Sequence, residues 1–248
     1  MLKEIFIAFQ SWQDASNFIR QRRLFRRLII PGIFYTLLFL AGLYFFFQSS
    51  NNVVSWLSRQ LHIENWLQKE RSEWLSFFFL MSAMMLRLTL TLFYFSLFKY
   101  LMLIIGSPLF AYLSERTEAA VEGKTFKLDF QSIKKDAWRN VKLTLRNAGW
   151  QTVYFVALVL LSLVPLVGWI VPLVCLLMEC YYFGFSMLDY SLARNGFTEG
   201  QSILFLGKHK GFAIGNGIIF FAMHIIIFLA PAYAIIAATL CIHNVKNS

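Results

Sequence analysis

Long runs of hydrophobic residues, separated by short polar segments, dominate the chain. The longest, residues 75–105, contains only two charged side chains, Arg87 and Lys99. A helix rising about 1.5 Å per residue would make this run about 46 Å long, against a hydrocarbon core of about 30 Å. We therefore predict a membrane-spanning helix over residues 75–105 that tilts or projects beyond the lipid, and that breaks at Gly106-Ser107-Pro108.

The N-terminal third predicts a second span and an amphipathic helix before it. Residues 28–47 form an apolar run of spanning length, and the polar segment 48–74 that follows is expected to be extracytoplasmic. Within residues 1–27, the pattern of positions 2–20 predicts a helix that lies in the membrane interface. Its apolar stripe consists of Ile5, Phe9, Trp12 and Ile19.

Two further apolar blocks, residues 150–189 and 212–243, are interrupted by proline-containing turns. Each block could be one kinked span or a helical hairpin that returns to the side it entered from. Residues 1–27 carry six Lys and Arg, residues 106–149 carry eight, and residues 190–211 carry three. The positive-inside rule places all three segments in the cytoplasm, which requires the first block to be a hairpin.

Residues 106–149 form a basic segment with a helical pattern. Its apolar stripe consists of Phe130, Ile133, Ala137, Val141 and Leu145, and its basic stripe of Lys135, Arg139, Lys142 and Arg146. This arrangement predicts helices that rest on an anionic cytoplasmic leaflet. Nucleic acid is a poor partner for so apolar a chain, and we expect none.

Composition supports a polytopic membrane protein. Of 248 residues, 58% are hydrophobic and 15% are charged, whereas soluble domains carry about 25% charged residues. The three cysteines and four histidines have no metal-ligand spacing, and no nucleotide-binding or catalytic motif is present. We therefore expect no cofactor, no metal and no enzyme activity. We also expect no cleaved signal peptide, because no cleavage site follows the first apolar run.

The candidate functional residues are cations near or within the apolar runs. Arg22, Arg23, Arg26 and Arg27 precede the first span. They could anchor that span on the cytoplasmic side or bind an oxyanion, since the planar guanidinium group suits oxyanions. Arg87 falls near mid-membrane, where a charge suggests a pore function or a buried pair with Glu179. Lys99 is expected to extend its ammonium group to the cytoplasmic interface.

Several short segments, in this order and spacing, resemble the CysZ-type sulfate permeases of bacteria and the broader etoposide-induced membrane protein family. The resemblance covers nearly the whole chain. The segments are residues 24–31, Pro108 to Glu118, residues 165–172, Asp189-Tyr190, Gly215, and Pro231 to Thr239. The most specific are Pro108 to Glu118 and Pro231 to Thr239.

The resemblance implies an all-α inner-membrane protein with two long transmembrane helices, two partly penetrating helical hairpins and amphipathic interfacial helices. It also implies a homo-oligomer that takes up sulfate passively for cysteine synthesis. The sulfate site of the family is built around a Gly-Leu-Arg type turn, which corresponds to residues 23–27 here, with Arg23 at the glycine position. A non-transporting, lipid-interacting scaffold and a channel for another anion are the alternatives.

Overall fold

The computed structural model describes residues 1–21, 25–60, 73–126, 129–162, 164, 167–223 and 230–246, and over these ranges it contains helices and no strands. A short 3₁₀ turn covers Val167–Trp169. The helices are α1 (Leu2–Gln21), α2 (Phe25–Gln60), α3 (Glu73–Val121), α4 (Phe130–Ser162), α5 (Val171–Arg194), α6 (Glu199–Lys208), α7 (Lys210–Met223) and α8 (Ala230–Lys246). The all-α prediction is confirmed.

The chain divides into two compact units. Unit 1 consists of Met1–Phe39, Met102–Asn147 and Glu179–Ser248. Unit 2 consists of Leu40–Leu101 and Ala148–Met178. Helices α2 to α5 each contribute residues to both units.

Two helical stretches within the described residues are long and apolar enough to cross a membrane, Ala83–Val121 and Val167–Arg194. The predicted first span lies within the 36-residue helix α2, and residues 48–60 of the polar segment continue that helix. Large apolar side chains of α2 are exposed, including Leu37, which is 63% exposed, and Phe47, which is 68% exposed. Such exposure suits contact with lipid rather than water.

Helix α3 does not break at Gly106-Ser107-Pro108, so this prediction is wrong. The helix continues with Pro108 in its interior to Val121, although an interior proline costs about 3 kcal/mol. Tertiary hydrogen bonds hold this turn in unit 1. The Ser107 hydroxyl donates to the Ala137 carbonyl of α4 over 2.9 Å, and the Tyr190 hydroxyl of α5 donates to Ser107 Oγ over 3.1 Å. Contacts with two other helices thus keep the chain helical through the proline.

Helices α4 and α5 lie antiparallel to each other within unit 1, as the predicted hairpin requires. In unit 1, Arg139 pairs with Asp189, and Asp136, one turn earlier on α4, pairs with Arg194, further along α5. In unit 2, Phe155 packs near the turn with Val171 and Cys175. Contacts that move back along α4 as they move forward along α5 define antiparallel helices. Helix α4 has 33 residues and α5 has 24, because both helices extend beyond the apolar block into its polar flanks. The depth of the hairpin in the bilayer stays a prediction.

The buried face of α4 is rotated from the predicted apolar stripe. Ile133 and Ala137 are buried as expected, but Phe130 and Leu145 are 74% and 57% exposed. The buried face instead includes Asn140, whose amide donates to the Ser186 carbonyl of α5 over 3.2 Å. Asn140 Oδ1 in turn accepts from the Thr144 hydroxyl. Polar residues can face the protein interior when they form hydrogen bonds there. A prediction from hydrophobic periodicity places such residues on the exposed face of the helix.

Helix α1 packs against α7 and α8 within unit 1. Trp12 is 5% exposed and donates from Nε1 to Asn216 Oδ1 of α7 over 2.6 Å, while Asn216 Nδ2 donates to the Ala234 carbonyl of α8. Trp12 and Ile19 of the predicted stripe are buried, but Phe9 is 43% exposed. Protein therefore covers part of the face that was predicted to lie on lipid.

Glycines 215 and 217 allow α7 to approach two neighbouring helices closely. A Cβ atom added to Gly217 would lie 2.0 Å from the Cys180 carbonyl oxygen of α5. One added to Gly215 would lie 2.8 Å from Ala8 Cβ of α1. Either contact is closer than van der Waals packing permits. These helix crossings therefore require glycine, which has no side chain, at both positions.

Candidate functional site

The predicted arginine cluster lies outside the described side chains. Arg22 and Arg23 fall outside the described residues altogether, whereas Arg26 and Arg27 lie in the first turn of α2 with undescribed side chains. Their role as an oxyanion site stays a prediction. The helical backbone at Arg26 and Arg27 places them directly before the apolar part of α2.

The two predicted intramembrane charges differ in exposure and belong to different units. Arg87 lies on α3 in unit 2 and is exposed, and its backbone carbonyl accepts a hydrogen bond from the Thr91 hydroxyl. Glu179 lies on α5 in unit 1 and is 1% exposed. Their proposed pairing and their place in a pore stay predictions.

The sequence suggested that Lys99 extends its ammonium group to the cytoplasmic interface. In the structure, Lys99 instead lies buried in the protein. Its side chain is 8% exposed, and Nζ donates to Gln151 Oε1 over 3.1 Å within unit 2. The Tyr100 hydroxyl donates to the same oxygen. Lys99 lies in a stretch of α3 that is apolar enough to cross a membrane. A buried cation at such a position is costly, and cations of this kind commonly mark ion pathways in membrane proteins.

Arg139 belongs to a buried polar network in unit 1. Its guanidinium Nη2 lies 3.0 Å from Asp189 Oδ1 and 2.8 Å from Ser202 Oγ, and Nη1 donates to the Phe197 carbonyl. Asp189 is 1% exposed. The planar guanidinium group thereby connects α4, the end of α5 and the start of α6.

Arg194 forms a second network at the end of α5. Its Nη2 lies 2.7 Å from Asp136 of α4 and 3.5 Å from Glu115 of α3. The next residue, Asn195, donates to Glu118 of α3 over 3.3 Å. Acidic side chains of α3 and α4 thus hold the end of α5 in place.

A cleft of about 710 Å³ opens beside Arg139 in unit 1. Its charged lining comprises Lys135, Arg139 and Lys142 against Asp136 and Glu199. Gly196, at φ +82°, turns the chain from α5 toward α6, and Thr198 caps α6 through the Gln201 N–H. The cleft therefore has a basic wall on α4 and a tight turn opposite.

The comparison with known families identifies the chain. The sequence profile of the family described as Sulfate transporter CysZ/Etoposide-induced protein 2.4 matches residues 11–237. The chain belongs to this family. The match extends from α1 into α8, and it includes both the arginine segment before α2 and the buried Lys99.

The sequence of this CysZ/etoposide-induced protein 2.4 family member did not reveal three polar residues that belong to the hydrogen-bond networks of Lys99 and Arg139. They are Tyr100 and Gln151, which bond together beside Lys99, and Ser202, which bonds to Arg139. Gln151 offered one signal, since it is a polar residue at the start of an apolar block. Its partner Lys99 is 52 positions away in the chain, so local periodicity could not join them.

Proposed function

We propose that the protein carries sulfate, or a similar oxyanion, passively across the bacterial inner membrane and so supplies sulfate assimilation. Membership of the CysZ/etoposide-induced protein 2.4 family over residues 11–237 is the observation that carries this proposal. We further propose a multi-pass homo-oligomer that acts as a transporter rather than as an enzyme.

The cations along the chain support an anion as the substrate. Transfer of a dianion into a medium of low dielectric constant is strongly unfavourable unless positive charge or hydrogen-bond donors replace its water. We propose that Arg22, Arg23, Arg26 and Arg27 attract the anion at the cytoplasmic mouth of the path. Arg87 and the buried Lys99 would lower the free energy of passage, with Glu179 as a counter-charge.

A site in a conduction path must bind strongly enough to fill and weakly enough to empty. Clustered arginines on a helix that begins at the interface meet this condition better than one enclosed pocket would. Arginine recognises charge and planar geometry rather than the central atom of the oxyanion. Selectivity among oxyanions therefore has to be measured directly.

The test of the proposed site is sulfate uptake into proteoliposomes that contain Arg26→Ala/Arg27→Ala protein. We expect uptake to fall at least tenfold, because two charge-assisted contacts of about 1.5–3 kcal/mol each are lost. The matched control is Lys3→Gln/Lys208→Gln, which removes the same charge at two exposed positions. Equal uptake by the wild type and the arginine variant, with both folded, would remove these arginines from the mechanism.

A further inference from the structure

The outer face of α4 in unit 1 carries two cations that no acidic side chain among the described residues pairs with. Lys135 and Lys142 are exposed and line the cleft of about 710 Å³. Among the described residues, neither ammonium group forms an ion pair, whereas Arg139 between them is held by Asp189. Of the two acids in the lining, Asp136 is engaged by Arg194 at 2.7 Å. The cleft therefore presents the positive charge of Lys135 and Lys142, with Glu199 as the other acid in its lining.

Exposed apolar side chains surround these cations. Trp138 is 62% exposed and its ring centre lies 5.9 Å from Lys142 Nζ. Leu145, one turn beyond Lys142 on the same face of α4, is 57% exposed. A site for a small soluble anion gains nothing from these apolar groups. Tryptophan, leucine and lysine together are typical of a surface at the level of lipid headgroups.

We propose that this cleft binds the phosphate of an anionic phospholipid. Lys135 and Lys142 contact the phosphate, and Trp138 and Leu145 lie against the glycerol backbone and the upper part of the acyl chains. Arg139, which lies between the two lysines, stays paired with Asp189 and is not needed for contact with the phosphate. The proposal concerns lipid binding and does not depend on sulfate transport.

The test titrates detergent-solubilised full-length protein with phosphatidylglycerol and, separately, with phosphatidylcholine, and measures bound lipid by native mass spectrometry. Each lysine near an anionic lipid surface strengthens binding by about five- to sixfold. We therefore expect Lys135→Gln/Lys142→Gln to weaken phosphatidylglycerol binding by about 30-fold. Binding of phosphatidylcholine, which has no net charge, should change less than threefold. Both substitutions are at exposed positions, so circular dichroism and size-exclusion chromatography should match the wild type.

Lys3→Gln/Lys208→Gln serves as the charge-matched control, because both lysines are exposed and lie outside the cleft lining. We expect this variant to bind phosphatidylglycerol within about threefold of the wild type, since each position lies outside the site. Equal weakening in the two variants would overturn the proposal in favour of general charge attraction. Displacement of the lipid by millimolar inorganic phosphate or sulfate would also overturn it, in favour of a site for free oxyanions. Sulfate uptake measured in parallel separates a failure of this proposal from a failure of the transport proposal.

Discussion

Unit 1 contains two kinds of cation, arginines on its inner side that form ion pairs and exposed lysines on the outer face of α4. On the inner side, Arg139 and Arg194 are held by the acidic residues Asp189 and Asp136. On the outer side, Lys135 and Lys142 lie on the same helix as Arg139 yet form no ion pair among the described residues. The sequence shows Lys135, Arg139 and Lys142 as members of one basic stripe. The structure separates those that hold helices together from those that remain free for a partner.

The largest effect is expected from Arg139→Ala. The substitution leaves Asp189 buried without its cation, and loss of one partner of a buried pair costs about 3–5 kcal/mol. Thermal unfolding in detergent should show a large fall in Tm. Lys135→Ala, on the same helix, is the control and should stay within about 0.5 kcal/mol of the wild type. Similar losses in both variants would show that the inner and outer cations do not differ.

Gly217→Ala is expected to have the next largest effect. The added Cβ would lie 2.0 Å from the Cys180 carbonyl oxygen, so α7 and α5 must separate, at a cost of about 1–3 kcal/mol. Gly207→Ala, in the last turn of α6, meets nothing within 4 Å. That control should raise stability by up to about 1 kcal/mol, because alanine favours a helix. A lower Tm for Gly207→Ala than for Gly217→Ala would contradict the close packing of α7.

Trp12→Phe tests the contact between α1 and α7 and should destabilise the protein by about 1–3 kcal/mol. Phenylalanine keeps most of the ring but lacks the N–H group, so Asn216 Oδ1 loses its buried donor. Phe9→Leu, at an exposed position of the same helix, is the control. If both variants unfold at the wild-type temperature, the hydrogen bond contributes nothing to the docking of α1.

The smallest effect is expected from Glu4→Gln, and it should depend on pH. Burial acts to raise the pKa of Glu4, but hydrogen bonds with His209 and with the Gly211 N–H outweigh it and leave that pKa below its usual 4.5. A lowered carboxyl pKa adds stability that is complete above the unfolded value and is lost as the pH falls through the folded one. The Tm difference between the wild type and the variant should therefore be present at pH 6 and disappear in acid below pH 4.5. A difference that is independent of pH would contradict the role of this carboxylate.

The sequence was sufficient for features that arise within one segment. Apolar run length predicted the spanning part of α3. The counts of Lys and Arg in the segments on either side of residues 150–189 favoured the hairpin. Features that need a distant partner were missed or wrong. Helix α3 continues through Pro108 because α4 and α5 bond to Ser107, and Lys99 stays buried because Gln151 accepts its hydrogen bond. Periodicity contains no information about such partners, which lie about 30 to 80 positions away.

The measurement that tests the central claim most directly is uptake of radiolabelled sulfate into proteoliposomes that contain the wild-type protein, compared with protein-free liposomes. The account predicts uptake down the sulfate gradient that unlabelled sulfate suppresses and that an equal concentration of chloride leaves nearly unchanged. Uptake no faster than in protein-free liposomes, from protein that is folded and inserted, would contradict sulfate transport.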